Sequence, residues 1–298
     1  MADGHNGNAA AKYAARVDAV LAQRARLRGP QPPGDLFAGL RADHPLIKAN
    51  PRRALDPNVG VIASYVERDD VIIDAGGGAG RISLPLALRS RAVVNVEPSA
   101  AMGAGFKANA VQAGITNASL VEGDWLAVDA PAGTFALANH VAYLTRDIVP
   151  FVEKLQRAGS RRVLMTVNDP PPPSWNRVLF ELLYGEPEES EPGHVELTNV
   201  LWELGILPDI RVLPLCAARP IVAAPTRAAA IEGAIAAFGP AWSFWPLGTD
   251  VEARLRGILE ERFAELFAAN DDGVVPRWIA AGREVLITWR PAVDRRVS

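Results

Sequence analysis

Asp74, the alternating glycines Gly76, Gly78 and Gly80, and Glu97 are the residues of this chain whose types and spacing suit joint chemistry on a ligand. Val71-Ile72-Ile73 before the glycines is a short β-branched run, and Ile82 to Leu88 after them is rich in apolar residues, so the segment reads as strand, glycine turn, helix. A turn without Cβ atoms lets backbone N–H groups and a helix N-terminus come close to a ligand. A dinucleotide fingerprint needs G-x-G-x-x-G, and here the third glycine position falls on Arg81 or Ser83 in the two possible frames. A G-x-x-x-x-G-K-[ST] phosphate loop is also missing. Glu97 ends the run Arg91 to Val96 about twenty residues past the turn, where doubly wound folds place an acid on ribose hydroxyls. A plain βα turn with a solvated acid at a strand end is the alternative.

The pattern D-x-G-x-G-x-G over Asp74 to Gly80 resembles the first motif of the class I S-adenosylmethionine-dependent methyltransferases, and the resemblance extends over residues 55–170. It implies S-adenosylmethionine as cofactor, held by Asp74, Gly76, Gly78, Gly80 and Glu97. It also implies that Asp124, in Glu122-Gly123-Asp124-Trp125, accepts from the adenine amine with Trp125 beside it, and that Ala101 and Met102 lie near the ring. Asn139 ends the run Phe135 to Asn139, where the family contacts the methionine part of the cofactor and faces the substrate. The implied reaction is an in-line displacement in which positioning supplies much of the rate, with a general base needed only when the acceptor keeps its proton. His140 is the histidine placed to be that base, with Tyr143 and Asn139 as pocket companions; a structural histidine hydrogen-bonded beside the pocket is the other reading.

Positioning these groups requires a strand under each. Ala118 to Val121 reads as a third strand, Phe135 to Asn139 as a fourth and Arg162 to Val167 as a fifth, so an acidic or polar residue recurs at the carboxyl end of strand after strand, where open α/β sheets bind ligands. Asp209 to Cys216 reads as a sixth strand, demoted to an edge or bulge by Pro214. Glu284 to Trp289 reads as the last, which the resemblance inserts antiparallel beside the fifth and sixth. The expected fold is α/β: a doubly wound, mostly parallel seven-stranded Rossmann-like sheet with a helical N-terminal cap and a helical insert before the last strand. The expected parts are a cap at 1–54, a cofactor-binding core at 55–218, a helical insert at 219–282, and the last strand and tail at 283–298.

The flanks carry less. Lys12 to Arg28 reads as a helix, Asp56-Pro57 as the start of another with the acid at the N-cap, and Ser99 as a further N-cap. Arg52, Arg53 and Tyr65 are read as packing and surface charge rather than cofactor contacts. Pro170 to Pro173 exits the fifth strand, and Trp175 to Tyr184 and His194 to Leu204 read as helices, the second capped by Gly205. The acidic stretch Glu186 to Glu191 between them reads as a solvated loop, with a preference for a cationic acceptor as the alternative. In the insert, Thr226 to Phe238 and Asp250 to Ala269 read as helices, the latter with Thr249 and Glu252 at capping-box spacing. Trp242, Trp245 and Trp278 are read as aromatics the insert buries for itself, with a substrate lid or a dimer contact as alternatives.

Bulk properties set limits. The 298 residues are 49% hydrophobic and 22% charged with a formal net charge of −3, ordinary for a globular protein. No basic run marks a nucleic-acid partner, no apolar stretch spans a bilayer, and Met1 to Ala11 lacks the pattern of a secretory signal. Cys216 is the single cysteine, which fits a reducing cytoplasm, and with four scattered histidines it makes a Cys/His metal site unexpected. The expected partner is a small molecule, with oligomeric state open. Two other functions stay open: cofactor binding without transfer, and an NAD(P)-dependent oxidoreductase, which the missing third glycine disfavours. Asn168-Asp169-Pro170-Pro171 matches only superficially the N-P-P-Y motif of nucleic-acid amino methylases, and it sits on the fifth strand rather than the fourth.

Overall fold

Short apolar runs covered on both faces become the central strands. Ile72, Ile73, Phe135, Leu137, Val163 and Leu164 are all fully buried, as parallel strands between two helical layers must be. The computed structural model describes residues 8–30, 33–44, 46–129, 131–171, 176–214, 223–238, 247–278 and 282–291. Its main sheet contains β1 (Val71–Ala75), β2 (Ala92–Glu97), β3 (Ala118–Glu122), β4 (Gly133–Asn139), β5 (Gly159–Asp169), β6 (Asp209–Val212) and β9 (Arg283–Trp289). The order is β3-β2-β1-β4-β5-β9-β6, with β1 to β5 parallel and β9 antiparallel to both of its neighbours. This is the expected sheet, including the antiparallel last strand. β6 stops at Val212, so Pro214 lies beyond it, and β6 forms the sheet edge.

Two helical layers close the sheet. α1 (Asn8–Arg28), α5 (Ile148–Ala158) and α7 (His194–Glu203) cover one face, with Tyr13, Val17, Phe151, Leu155 and Leu201 in its core. α2 (Pro57–Ala63), α3 (Ser83–Ala87) and α4 (Ala100–Gln112) cover the other with Val59, Ile62, Leu84 and Phe106. Asp56 caps α2 by accepting from the Val59 N–H (3.0 Å), and Ser99 caps α4 by accepting from the Met102 N–H (3.1 Å), both as the sequence indicates.

The insert differs from its expected all-helical form. α8 (Arg227–Phe238), α9 (Thr249–Glu261) and α10 (Phe263–Leu266) are followed by a hairpin of β7 (Phe267–Asn270) and β8 (Gly273–Pro276). With α6 (Arg177–Tyr184) they enclose a separate apolar cluster around Phe180, Leu183, Ile231, Leu255 and Phe267. Trp278 packs there, edge-on to Phe267 with ring centroids 5.2 Å apart. Gly248, not Thr249, is the N-cap of α9, and no side-chain capping bond forms. The expectations resting on Pro172, Pro173, Trp175, Cys216, Trp242 and Trp245 lie outside the described residues.

Asp70 fixes the lower end of β1. It is 2% exposed and accepts from the Glu67 N–H (2.7 Å), Thr134 Oγ1 (2.6 Å) and Arg161 Nε (2.9 Å), which ties the foot of β1 to β4 and β5. Burial works to raise this carboxyl, but Arg161 and Thr134 hold it below the ordinary value. Hydrogen bonds to a charged group are each worth about 1.5–3 kcal/mol. Asp70→Ala is expected to lower stability at pH 7 by about 2–3 kcal/mol in urea unfolding. A lowered folded pKa stabilises fully above the unfolded value near 3.9 and fades as pH falls through the folded value, so the difference between variant and wild type shrinks in acid.

Candidate functional site

A cleft of about 950 Å³ opens along the carboxyl ends of the parallel strands. Asp74, Gly76 and Gly78 line it after β1, Glu97 after β2, Asp124 and Trp125 after β3, Asn139, His140 and Tyr143 after β4, and Asn168 on β5. The sequence-derived site residues therefore converge, with one exception. Gly80 is not among the lining residues; its φ is +78°, and a Cβ there would come within 2.6 Å of Leu84 and Phe106. It is a packing glycine that lets α3 and α4 close beneath the turn. Trp125 is 4% exposed and anchored by its Nε1 donating to the Phe151 carbonyl (3.4 Å), so it forms a wall of the cleft and is not a free platform.

The glycine turn is held by side chains from β2. The Gly78 N–H donates to Glu97 Oε2 (2.8 Å), and Glu97 Oε1 accepts from the Ser99 N–H (2.8 Å). Asn95 accepts from the Gly77 N–H (3.1 Å) and donates to the Gly78 carbonyl (2.9 Å). A Cβ at Gly77 would fall on Asp74 Oδ2 and lie 2.5 Å from Asn95 Oδ1. At Gly78, whose φ is +57°, nothing stands within 4 Å of a Cβ position, so that side of the turn is clear for a ligand. Burial pushes the Glu97 carboxyl above its usual value against the two amide bonds. Asp74 is 1% exposed and raised to about 7 by burial, with Ser83 opposing and Glu97 adding to the rise, and its Oδ1 has no hydrogen-bond partner.

A second polar cluster lines the cleft at the end of β4. The His140 Nε2 lies 2.9 Å from Glu284 Oε1, and its Nδ1 lies 3.0 Å from the Tyr143 hydroxyl. That hydroxyl accepts from the Asn168 N–H (2.5 Å), and Glu284 Oε2 accepts from Asn58 Nδ2 (2.6 Å). A carboxylate only accepts, so the partners assign the proton to Nε2 and let the tyrosine donate to Nδ1. Burial works to raise the Glu284 carboxyl, but His140 and Asn58 hold it below the ordinary value. Burial drives the Tyr143 phenol up. His140 has φ +58°, the only positive value at a non-glycine among the described residues, and its N–H is fixed on the Thr166 carbonyl (3.0 Å). Such a backbone costs of order 1–3 kcal/mol and persists only where the surroundings hold it.

The N-terminal segment and α2 build the outer wall through Phe37, Leu46, Asn58, Val59 and Ile62. Asp35 clamps this segment to α4 by accepting from Ser99 Oγ (3.0 Å) and the Ala101 N–H (3.0 Å). Arg52, Arg53 and Tyr65 stand away from the cleft, with Arg52 donating to the Ala113 carbonyl (2.7 Å), Arg53 to the Arg81 carbonyl (3.0 Å) and Tyr65 lying under Arg162. The acidic loop is not solvated as expected. Glu191 is 5% exposed, pairs with Arg24 of α1 at 2.6 Å and reaches the cleft wall; Glu186 pairs with Arg26. Sequence reasoning missed Asn95, Glu284, Asp35 and Glu191; an acid at the start of a strand predicted to lie beside the fifth was the available signal for Glu284.

No protein-family model matches the chain, and no curated protein matches it. Solved structures do. The YcgJ protein from Bacillus subtilis aligns at 15% identity over 78% of this chain and 96% of its own, with a TM-score of 0.51. BH2331 from Bacillus halodurans C-125, described as a candidate methyltransferase, aligns at 12% identity over 77% of this chain and 95% of its own, with a TM-score of 0.52. YjhP from E. coli aligns at 13% identity over 86% of this chain and 99% of its own, with a TM-score of 0.50. Strand order, antiparallel last strand and these alignments agree: the chain has the fold of the class I S-adenosylmethionine-dependent methyltransferases.

Proposed function

We propose that the protein is an S-adenosylmethionine-dependent methyltransferase that moves a methyl group to a small-molecule acceptor by in-line displacement. The observation that carries this reading is the use of the glycine-turn amides. Gly77 and Gly78 N–H groups, which would cradle a pyrophosphate in a dinucleotide site, are taken by Asn95 and Glu97. What faces the cleft instead is carboxylate: Asp74, Glu97 and Asp124. That wall suits a ligand rich in hydroxyl, amine and positive charge and opposes one carrying phosphates. A cleft of about 950 Å³ is at the upper end for small-molecule sites and leaves room for an acceptor beside a nucleoside cofactor.

In this reading Glu97 takes the ribose hydroxyls on its remaining lone pairs, Asp124 the adenine amine, and Asp74, Gly76, Gly78 and Asn139 border the methionine end. S-adenosylmethionine, when bound, supplies a methyl group on an electrophilic sulfonium. The chain orients the nucleophile and moves its proton. Tyr143 oxygen receives the acceptor's proton as its own passes to His140 Nδ1, and Glu284 stabilises the imidazolium that forms. Tyr143 and His140 are then the catalytic pair and Glu284 the positioning group. The reading needs no metal, and the single cysteine is compatible with a reducing cytoplasm.

Titration calorimetry with S-adenosylmethionine and its demethylated product tests the cofactor assignment. Glu97→Ala is expected to bind roughly tenfold more weakly, about 1.4 kcal/mol; heat with a nicotinamide dinucleotide and none with the sulfonium compound would overturn it. With Asp74 near 7, a cationic ligand draws off its proton, so affinity should climb as pH rises toward 8 and then level, and Asp74→Asn should flatten that dependence. Once an acceptor is found, Tyr143→Phe and Glu284→Gln are expected to lower kcat by about 10²-fold or more while cofactor affinity holds. Unchanged turnover in both would remove the relay.

A further inference from the structure

Strand β6 is the edge of the main sheet and pairs with β9 alone among the described residues. All of Asp209-Ile210-Arg211-Val212 is exposed. An edge with free backbone donors and acceptors is a template for another strand. Two observations fix where those groups point. Val212 lies opposite Val285, and the Leu213 N–H donates to the Glu284 carbonyl (2.8 Å). Residues 209, 211 and 213 therefore turn their backbone groups toward β9, and Ile210 and Val212 turn theirs outward. Ile210 pairs with Ile287 and Val212 with Val285, so both side chains lie on the sheet face covered by α7, where Val285 and Ile287 join the α1/α5/α7 core. On α7 itself Val195 and Trp202, seven residues apart and so on one side of the helix, are exposed as well.

We propose that a second copy of this chain pairs with β6 antiparallel across a two-fold axis, joining two sheets into one. Three registers within the strand set outward groups against outward groups. Centred on Arg211, two guanidinium groups would oppose each other. Centred on Val212, Arg211 would face an apolar leucine. Centred on Ile210, Asp209 faces Arg211 of the partner subunit, and the symmetry repeats the pair. Opposite charges directly across a ladder stabilise it and like charges do not, so the sequence selects the Ile210 register. There the two Ile210 residues exchange N–H···O bonds, and each Val212 N–H meets a Pro208 carbonyl. Pro208 and Pro214 flank the strand and stop the pairing from running further. An axis normal to the sheet keeps both α7 helices, with their exposed Val195 and Trp202, on the same side of the joined sheet. The short strand alone falls below the roughly 800 Å² per partner of a standard interface, so the pairing calls for further surface on the α7 side.

Sedimentation velocity of the full chain at micromolar concentration tests the proposal. A species of twice the chain mass is expected. Arg211→Glu, which sets two carboxylates against each other, should weaken the dimer about tenfold or more, and the double variant Asp209→Lys/Arg211→Glu should restore it. Ile210→Pro removes an outward N–H without breaking a β6–β9 bond, so it should give a folded monomer with the wild-type circular-dichroism spectrum and a melting temperature that no longer depends on protein concentration. A monomeric wild type, an open oligomer, a dimer indifferent to Arg211→Glu and Ile210→Pro, or a double variant no tighter than the single one would each overturn the proposal.

Discussion

The clasp of Glu97 and Asn95 on the glycine turn is the constraint from which the site follows. Two side chains at the end of β2 take the amides of Gly77 and Gly78 and thereby decide what the turn can offer. A bare turn presents N–H groups and attracts anions. This one presents a carboxylate, with a second buried acid, Asp74, directly beneath it. Two residues thus set the polarity that the turn shows to the cleft. Glu97 accepts from the Ser99 N–H while the Ser99 hydroxyl holds Asp35, so the same clasp reaches the segment that walls the mouth of the cleft.

Beyond that clasp, burial also acts on acids of the loop before α7. Glu191 and Glu188 are raised to about 7 by burial, with Arg24 opposing in each case. The Arg24–Glu191 pair has side chains only 5% and 6% exposed. A buried pair of this kind adds little net stability, because desolvation offsets attraction, but breaking it strands a charge. Its effect here is geometric: it ties α1, at one end of the chain, to the loop before α7 and sets Glu191 on the cleft wall. The acids of the cleft are thus set out on separate elements, and Glu97, Glu191 and Glu284 are each held by their own partners.

The parallel part of the sheet was legible because each of its five strands is a short, mainly apolar run with a polar residue at or near its end, and that rhythm survives in one dimension. Asp74, Glu97 and Asn139 are visible in this way. Glu284 was not recognised as a site residue, since its meaning comes from pairing Asn168 with it across β5 and β9 and from His140 reaching over. Asn95 was hidden inside an otherwise apolar strand. The β7–β8 hairpin was missed because Phe263, Leu266 and Phe267 prolong the helical spacing of α9, although Asp271-Asp272-Gly273 carries the turn signal. The acidic loop misled for a related reason: charge density reads as solvent exposure unless the opposing Arg24 and Arg26 of α1 are known to be near.

The place of β9 has a further consequence. It enters between β5 and β6 and is synthesised after every other strand of the sheet, yet it carries the carboxylate that orients His140. A nascent chain emerging from the ribosome therefore holds the residues of the Glu97–Asn95 clasp well before it holds the carboxylate that meets His140. The polar cluster around His140 is thus completed last, by the same strand that joins β5 to β6.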